Sequence, residues 1–362
     1  MYLTQLDIHQ VRNLRQNKIF PSKRCNYIYG VNASGKTSLL ESIYLLSLAR
    51  SFRTTHIKHV ISHNETALQL FARINNEKGE STAVGLERSI KSTRIRINQQ
   101  DIKQVAQLSS LLPVQIINPD VHKLLEQGPK YRRQFIDWGV FHVEHEFLKY
   151  WQQYYRVLKQ RNAALRKKLN PSSIKIWDDQ LIQYAKQITL FRENYLKDFL
   201  PIFNRYVEKL MGLSVSIKYQ RGWNADLSLT ETLLQAYTKD SLKGFTSFGP
   251  HRADLEITHE NILVQNSFSR GQQKLLVCAM RLAQISHLKQ ATDQQSILLV
   301  DDLAAELDIH HRQNLIDLLV DTKAQLFVTA TEENSFVLPE EIESKRFHVE
   351  HGLIKEVVQS NP

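Results

Sequence analysis

Eight consecutive residues, Gly30, Val31, Asn32, Ala33, Ser34, Gly35, Lys36 and Thr37, fit the pattern GxxxxGK[ST]. They stand between a short apolar run, NYIY, and a long apolar stretch with helical spacing. Each part has a chemical use. Glycines let backbone N–H groups curl around phosphate oxygens, and a helix starting here adds the positive end of its dipole. Lys36 reaches β- and γ-phosphates, and the Thr37 hydroxyl suits a Mg2+ ion. Gly30 through Ser38 are therefore the expected phosphate-binding residues of a nucleotide site.

A second constellation lies in SILLVDDLAAELD (296–308), where two aspartates close an apolar strand. In open α/β sheets, ligands bind at the C-terminal edge of the strands. Asp301 is expected to hold Mg2+, directly or through water, and Asp302 to polarise an attacking water. A third lies in SFSRGQQKLL (267–276). Ser269 is a good N-cap, Gly271 permits close backbone approach, and Gln272 and Gln273 follow before a mostly apolar stretch to Leu288. Alone, this is a well-capped core helix. Its place ahead of the Asp301 strand, with AELD (305–308) after that strand, points instead to an anion at the helix start. The residues leave open whether that anion is held by the same chain or by another copy.

These groups need elements to hold them. Alternating or β-branched residues predict strands over 2–9, 26–30, 67–74, 82–87, 92–98 and 114–118. From 119 to 210 the pattern is helical, with breaks expected at Pro129, at NPSS (170–173), at Pro201 and at Gly212. QSILLV (295–300) and AQLFVT (324–329) read as buried parallel strands. The expected fold is α/β: a discontinuous lobe, 1–118 with 242–362, building one sheet from both halves of the chain. A mainly helical lobe, 119–241, is inserted in it.

The 362 residues carry 47 Lys+Arg against 37 Asp+Glu, a formal charge of +10 that suits a polyanionic partner, nucleic acid first. A basic surface without a cognate partner is the alternative. Phe147 to Trp177 contains no acidic residue and eight basic ones, Lys149, Arg156, Lys159, Arg161, Arg166, Lys167, Lys168 and Lys175. Trp151, Tyr155, Leu158, Leu165 and Leu169 form an apolar stripe there. Arg156, Lys159, Arg166 and Lys167 are the candidate DNA-phosphate contacts, with RSFRTTHIKH (50–59) and RSIKSTRIR (88–96) as further candidates. No base-reading motif is present, so backbone and shape contacts with little sequence preference are expected. Two distant cysteines, Cys25 and Cys278, argue against a disulfide framework or zinc site. No signal peptide pattern and no membrane-length apolar run is present, so a cytoplasmic protein with no membrane partner is expected.

The ordered set of phosphate loop, Ser269–Gly271–Gln272 signature, acidic strand and AELD resembles the ATP-binding-cassette superfamily. The resemblance implies ATP and Mg2+ as cofactors, an ATPase head fold, and a signature that faces the γ-phosphate held by a second copy. Lys36 and Ser269 stand 233 positions apart, too far for a compact transporter cassette, while prolines rule out a long coiled coil between them. Thr331 stands where transporter cassettes carry a histidine. VRNL (11–14), RSFRT (50–54), INPDVHKLLEQGPKYRRQFID (117–137), LKQRNAALR (158–166) and FGPHRADL (248–255) are similar to the RecF family of bacterial recombinational repair and replication proteins. That resemblance implies an ATP-dependent homodimer on single-stranded or gapped DNA. It also implies slow, DNA-stimulated hydrolysis and partners RecO and RecR that help load RecA. Asp302 replaces the glutamate of most cassettes, in keeping with slow turnover. Asn118 falls where related ATPases place a metal-sensing glutamine. A transport or translation cassette is the alternative reading. An ATP-controlled nuclease has no additional acidic metal cluster in its favour.

Overall fold

The computed structural model describes residues 1–302, 309–333, 339 and 341–357. The AELD stretch, 305–308, lies outside the described residues. The chain forms two compact units, Met1–Val121 with Thr292–Pro362, and His122–Ala291.

The first unit opens with the hairpin β1 (Tyr2–Val11) and β2 (Leu14–Ile19), then β3 (Cys25–Tyr29) and α1 (Lys36–Leu48). Four antiparallel strands follow, β4 (Ala67–Asn75), β5 (Ser81–Ser89), β6 (Thr93–Ile97) and β7 (Gln100–Ile102), then α2 (Val105–Leu111) and β8 (Val114–Ile117). The second unit holds α3 (Lys123–Glu126), α4 (Pro129–Val143), α5 (Phe147–Arg166), α6 (Pro171–Met211) and β9 (Ser216–Gln220). It continues with α7 (Leu229–Lys243), β10 (Asp254–His259), β11 (Ile262–Leu263), α8 (Val264–Ser267) and α9 (Arg270–Thr292). The chain then returns to the first unit with β12 (Ile297–Val300), α10 (Ile309–Asp321), β13 (Gln325–Ala330), β14 (Ser344–Glu350) and β15 (Leu353–Val357).

Both halves of the chain build one sheet, ordered β15-β14-β3-β13-β12-β8, in which β14, β3, β13, β12 and β8 run parallel. The expectation of a single sheet is corrected by a second one. β2-β1-β4-β5-β6-β7 is antiparallel and comes wholly from the first half. Parallel strands buried on both faces read as continuous apolar runs, as β12 and β13 do; half-solvated antiparallel strands alternate, as β4 does. α1 packs against β1, β4 and β5 of one sheet and β13 of the other, and most of its residues are buried. A helix enclosed on most sides gains its stability from packing, which fixes where its N-terminus points.

The second boundary of the helical unit falls at Ala291, whereas the sequence pattern placed it at 241. Pairing explains the difference. β10 hydrogen-bonds along β9, the Gln284 amide of α9 donates to the Phe135 carbonyl at 2.7 Å, and the Tyr206 and Ser286 hydroxyls meet at 2.6 Å. The break expected at Pro201 does not occur either. α6 runs through it, because Pro201 and Lys197, whose carbonyl loses its amide partner there, both lie on the exposed face. Buried Phe199, Phe203 and Tyr206 hold the two sides of that point to the core. Among the described residues no helix is long and apolar enough to cross a membrane.

Candidate nucleotide site

In the first unit the phosphate loop leaves β3, Asp301 follows β12, and β13 lies between these two strands. Sheet order alone therefore brings residues more than 260 positions apart to one edge. The Thr37 hydroxyl donates to Asp301 Oδ1 at 3.0 Å, and Thr329 of β13 donates to the same oxygen at 2.9 Å. Burial pushes the Asp301 carboxyl above its ordinary range, while these two hydroxyls pull it back. A carboxylate and a hydroxyl facing one another form a hard oxygen pair of the kind Mg2+ takes beside phosphate oxygens and water. Among the described residues no group of three His, Cys, Asp or Glu gathers into a closed metal cage. Mg2+ in nucleotide sites needs none.

The loop itself is built for an anion. Gly35 caps α1 without any side-chain hydrogen bond, and no acidic residue stands in the first turn. The helix start thus presents backbone N–H groups and its dipole without a local counter-charge. The Ser34 hydroxyl is buried and has no partner among the described residues, which suits a ligand oxygen. Gly30 has φ +150 and a Cβ there would meet the Val349 carbonyl at 2.2 Å, so this position admits only glycine. Lys36 folds back: its Nζ donates to the Gly30 and Val31 carbonyls at 2.6 and 3.0 Å. Burial lowers its pKa, opposed by Asp302 and Asp301. Val31, Asn32 and Ala33 are exposed at the loop tip. Ser38 donates to Asn13 Oδ1 at 3.0 Å.

Asp302 has φ +50, and its N–H is fixed by Thr329 Oγ1 at 2.8 Å. Aspartate tolerates this backbone region better than most residues, and the hydrogen bond aims the residue rather than leaving it on a free turn. Asn118 directly follows β8, whose Ile117 carbonyl accepts the Asp301 N–H at 2.8 Å, so it lies at the same sheet edge. Thr331 is exposed just past β13.

A cleft of about 1460 Å³ opens over Lys36, Thr37, Ser38, Asp301 and Asp302, and is lined also by Arg12, Asn13, Arg15, Arg53 and three histidines, His59, His63 and His351. Sequence reasoning named Thr37, Asp301 and Lys36 but missed Asn13 and Thr329. Asn13 Nδ2 donates to the Ser34 carbonyl at 2.9 Å and so holds the loop from beneath. Arg12 makes a bidentate pair with fully buried Glu41 at 2.8 and 2.9 Å, and Ser51 also donates to Glu41. VRNL and RSFRT carried these residues in plain sight, yet nothing in their local pattern says that they meet α1.

The family model of the RecF/RecN/SMC N terminal domain matches residues 2–353. The DNA replication and repair protein RecF of Shewanella denitrificans is 43% identical over 359 residues, covering 98% of this chain and 99% of that protein. The RecF of Cellvibrio japonicus is 42% identical over 361 residues, covering 98% and 99%. This chain belongs to the RecF family. A solved structure of the recombination mediator protein RecF with ATP in the RecFOR pathway has a TM-score of 0.86 at 23% identity, covering 99% of this chain and 98% of that one. An Smc head bound to the C-winged helix domain of ScpA gives 0.60 at 15% identity, covering 99% and 97%. These likenesses show the fold, an ABC-type ATPase head of mixed sheets and helices, as the motifs implied.

Ser269, Gly271 and Gln272, which resemble the cassette signature, lie in the second unit. The Ser269 N–H donates to Gln272 Oε1 at 2.9 Å, and the Gln272 N–H donates back to Ser269 Oγ at 3.3 Å, a reciprocal cap on α9. Ser269, Gly271 and Gln272 are all exposed. Among the described residues a Cβ at Gly271 would meet nothing nearer than Ser269 Oγ at 4.0 Å. Packing among them therefore does not ask for glycine there.

Arg156, Lys159 and Arg166 of α5 and Lys167 just after it are exposed. Arg161 is corrected: it is fully buried, held by Asp178 at 2.5 Å and Asp240 at 3.1 Å. The buried stripe is Tyr154, Val157, Leu158, Ala164 and Leu165, with Trp151, Tyr155 and Leu169 only half-buried. In the 88–96 stretch Arg94 and Arg96 share Asp101 at 3.2 and 2.8 Å, which offsets one of its four positive charges.

Proposed function

We propose that this chain binds Mg2+ and ATP at the β3–β12 edge, with Gly30 to Ser38 around the phosphates and Thr37 and Asp301 on the metal. The observation that carries the reading is the Thr37–Asp301–Thr329 cluster beside an uncapped α1. When bound, Mg2+ neutralises charge on the phosphate oxygens. Lys36, now resting on two loop carbonyls, turns to the β- and γ-phosphates, where it gains charge-assisted bonds. Asp302, aimed by Thr329, orients the attacking water and accepts its proton.

The signature Ser269, Gly271 and Gln272 acts on the γ-phosphate of a second copy. Its support is the exposed α9 start, where no packing among the described residues calls for the glycine. ATP thus closes a homodimer on single-stranded or gapped DNA through basic residues including Arg156, Lys159, Arg166 and Lys167. Slow, DNA-stimulated hydrolysis opens it, and RecO and RecR cooperate in loading RecA, as expected of a cytoplasmic repair protein. In functional terms the ATPase lobe, 1–118 with 242–362, takes in the β10-to-α9 part of the second compact unit, with 119–241 inserted.

Sedimentation of the full chain tests this. A dimer should form with ATP, and more tightly with gapped DNA. An unchanged sedimentation coefficient with both present removes the clamp reading. ATPase activity indifferent to DNA favours a transport or translation cassette instead.

A further inference from the structure

The second unit exposes Phe245 on the short loop after α7. The surrounding backbone is anchored. Thr246 is buried, its N–H and hydroxyl both donate to Asn162 Oδ1 at 2.8 and 2.7 Å, and Arg161 Nη1 donates to its hydroxyl at 2.8 Å. The Ser247 N–H donates to fully buried Asp240 at 3.1 Å, and the His251 ring meets the Thr246 carbonyl at 3.1 Å. The phenyl ring is thus held out to solvent by a fixed base, and little ordering entropy remains to be lost when a partner covers it.

Two cations stand over the ring. Lys243 Nζ lies 5.7 Å and the Arg252 guanidinium 5.4 Å from its centroid. Arg166, at the basic end of α5, reaches the Gly244 carbonyl beside it at 3.5 Å, followed in sequence by exposed Lys167 and Lys168. Further along the acid-free stretch from Phe147 to Trp177, the Leu169 carbonyl accepts the Tyr237 hydroxyl of α7, the helix that leads into this loop. An aromatic ring with an ammonium and a guanidinium standing over it matches an unpaired nucleotide: ring and guanidinium plane take the base, and the cations take the phosphates. A duplex keeps its bases stacked inside and offers the ring nothing. An acidic peptide would satisfy the cations but lacks the planar face.

We infer that Phe245, with Arg166, Lys243 and Arg252, is a stacking platform for an unpaired base of a nucleic-acid strand. The inference rests on the DNA-binding reading above and locates where single-stranded character is sensed.

The test compares wild type, Phe245→Ala and Phe245→Trp as full chains, by fluorescence anisotropy with a labelled oligothymidylate of about 15 nucleotides, inside the site size typical of such surfaces. A duplex of equal length is the control. Phe245→Ala should weaken oligothymidylate binding about tenfold. Its slope against salt should stay unchanged, because no phosphate contact is lost. Phe245→Trp should restore the affinity, and duplex binding should stay level across all three. Arg166→Ala with Lys243→Ala should flatten the salt slope instead. Equal affinity of Phe245→Ala and wild type for oligothymidylate overturns the platform while leaving DNA binding standing. Equal losses on duplex and single strand also overturn it, since stacking is then not the contact. A wild type that binds neither probe overturns the DNA reading and the platform together. Matching thermal unfolding of the three proteins guards against a folding defect.

Discussion

Two helix starts in this molecule are built to opposite plans. At α1 the polar groups turn inward: Lys36 rests on loop carbonyls, Thr37 and Thr329 share Asp301, and Asn13 ties Ser34 and Ser38 together. At α9 the groups face out, and the Ser269 and Gln272 side chains cap each other's backbone while Gly271 leaves the surface bare among the described residues. The first is a site kept in shape without its ligand. The second is an exposed cap on the surface of its unit. On the reading proposed above, the two are the halves of one reaction.

The largest effect should come from the inward site. Asp302→Asn should slow ATP turnover by about 10² to 10⁴, the usual range for losing a general base, while ATP binding persists. Unchanged single-turnover rates would take Asp302 out of the chemistry and leave the α1 edge as a binding site only. Lys36→Ala should weaken ATP binding roughly a hundredfold, the worth of a charged hydrogen bond to phosphate, read by equilibrium dialysis.

Mixing tests the outward site directly. Lys36→Ala keeps an intact signature, and Ser269→Arg keeps an intact phosphate loop while placing bulk at the α9 start. Each alone should be nearly inactive. Together they should recover a modest share of wild-type ATPase, because mixed dimers contain one whole site. If mixed dimers form and no activity returns at any ratio, the contrast between inward and outward helix starts has no catalytic meaning. Asn13→Ala should cost about fivefold in ATP affinity by loosening the loop that it braces, with the fold intact by thermal melting.

Acid probes the interior of the second unit. His142 is buried against Trp138 at 4.4 Å between ring centroids, and burial pushes its pKa down to about 3. Between the ordinary 6.5 and about 3 the unfolded chain binds a proton that the folded chain refuses. Stability contributed by the neutral ring is therefore present above pH 6.5 and lost as pH falls through that window, by at most about 1.4 kcal/mol per pH unit. His142→Phe should flatten that part of a denaturant-midpoint curve. A curve that keeps its slope would place the acid sensitivity elsewhere.

Much of the α1 edge was legible because its chemistry is local. Gly30 to Thr37 is one loop, and Asp301 ends one apolar strand. Thr329 was not legible, since a threonine in AQLFVT gains meaning only when sheet order sets β13 between β3 and β12. Asn13 was missed for the same reason. Arg161 shows the converse error. Sequence spacing placed it in a basic row, but the row turns inward at that position because Asp178, Asp240 and Thr246 arrive from elsewhere in the chain. Pro201 misled because a proline breaks a helix only where the freed carbonyl has no solvent to turn to. The second sheet escaped notice for want of any pattern distinguishing which strand partners which.

The phosphate loop is also braced by the strands that come last in the described chain. The Gly352 N–H donates to the Ser34 carbonyl at 2.9 Å, the Asn17 amide holds the Gly352 carbonyl at 2.9 Å, and Gly30 lies directly beneath Val349. During translation, the loop near residue 30 is made early and its support near residue 350 late. At about 5 to 20 residues per second the interval is roughly 15 to 60 s. Through that interval a nascent chain carries the whole GxxxxGKT motif without the architecture that gives it shape. A ribosome stalled before β14 should hold a chain that does not retain nucleotide, so the growing polypeptide stays silent toward ATP until synthesis has passed the β14–β15 hairpin.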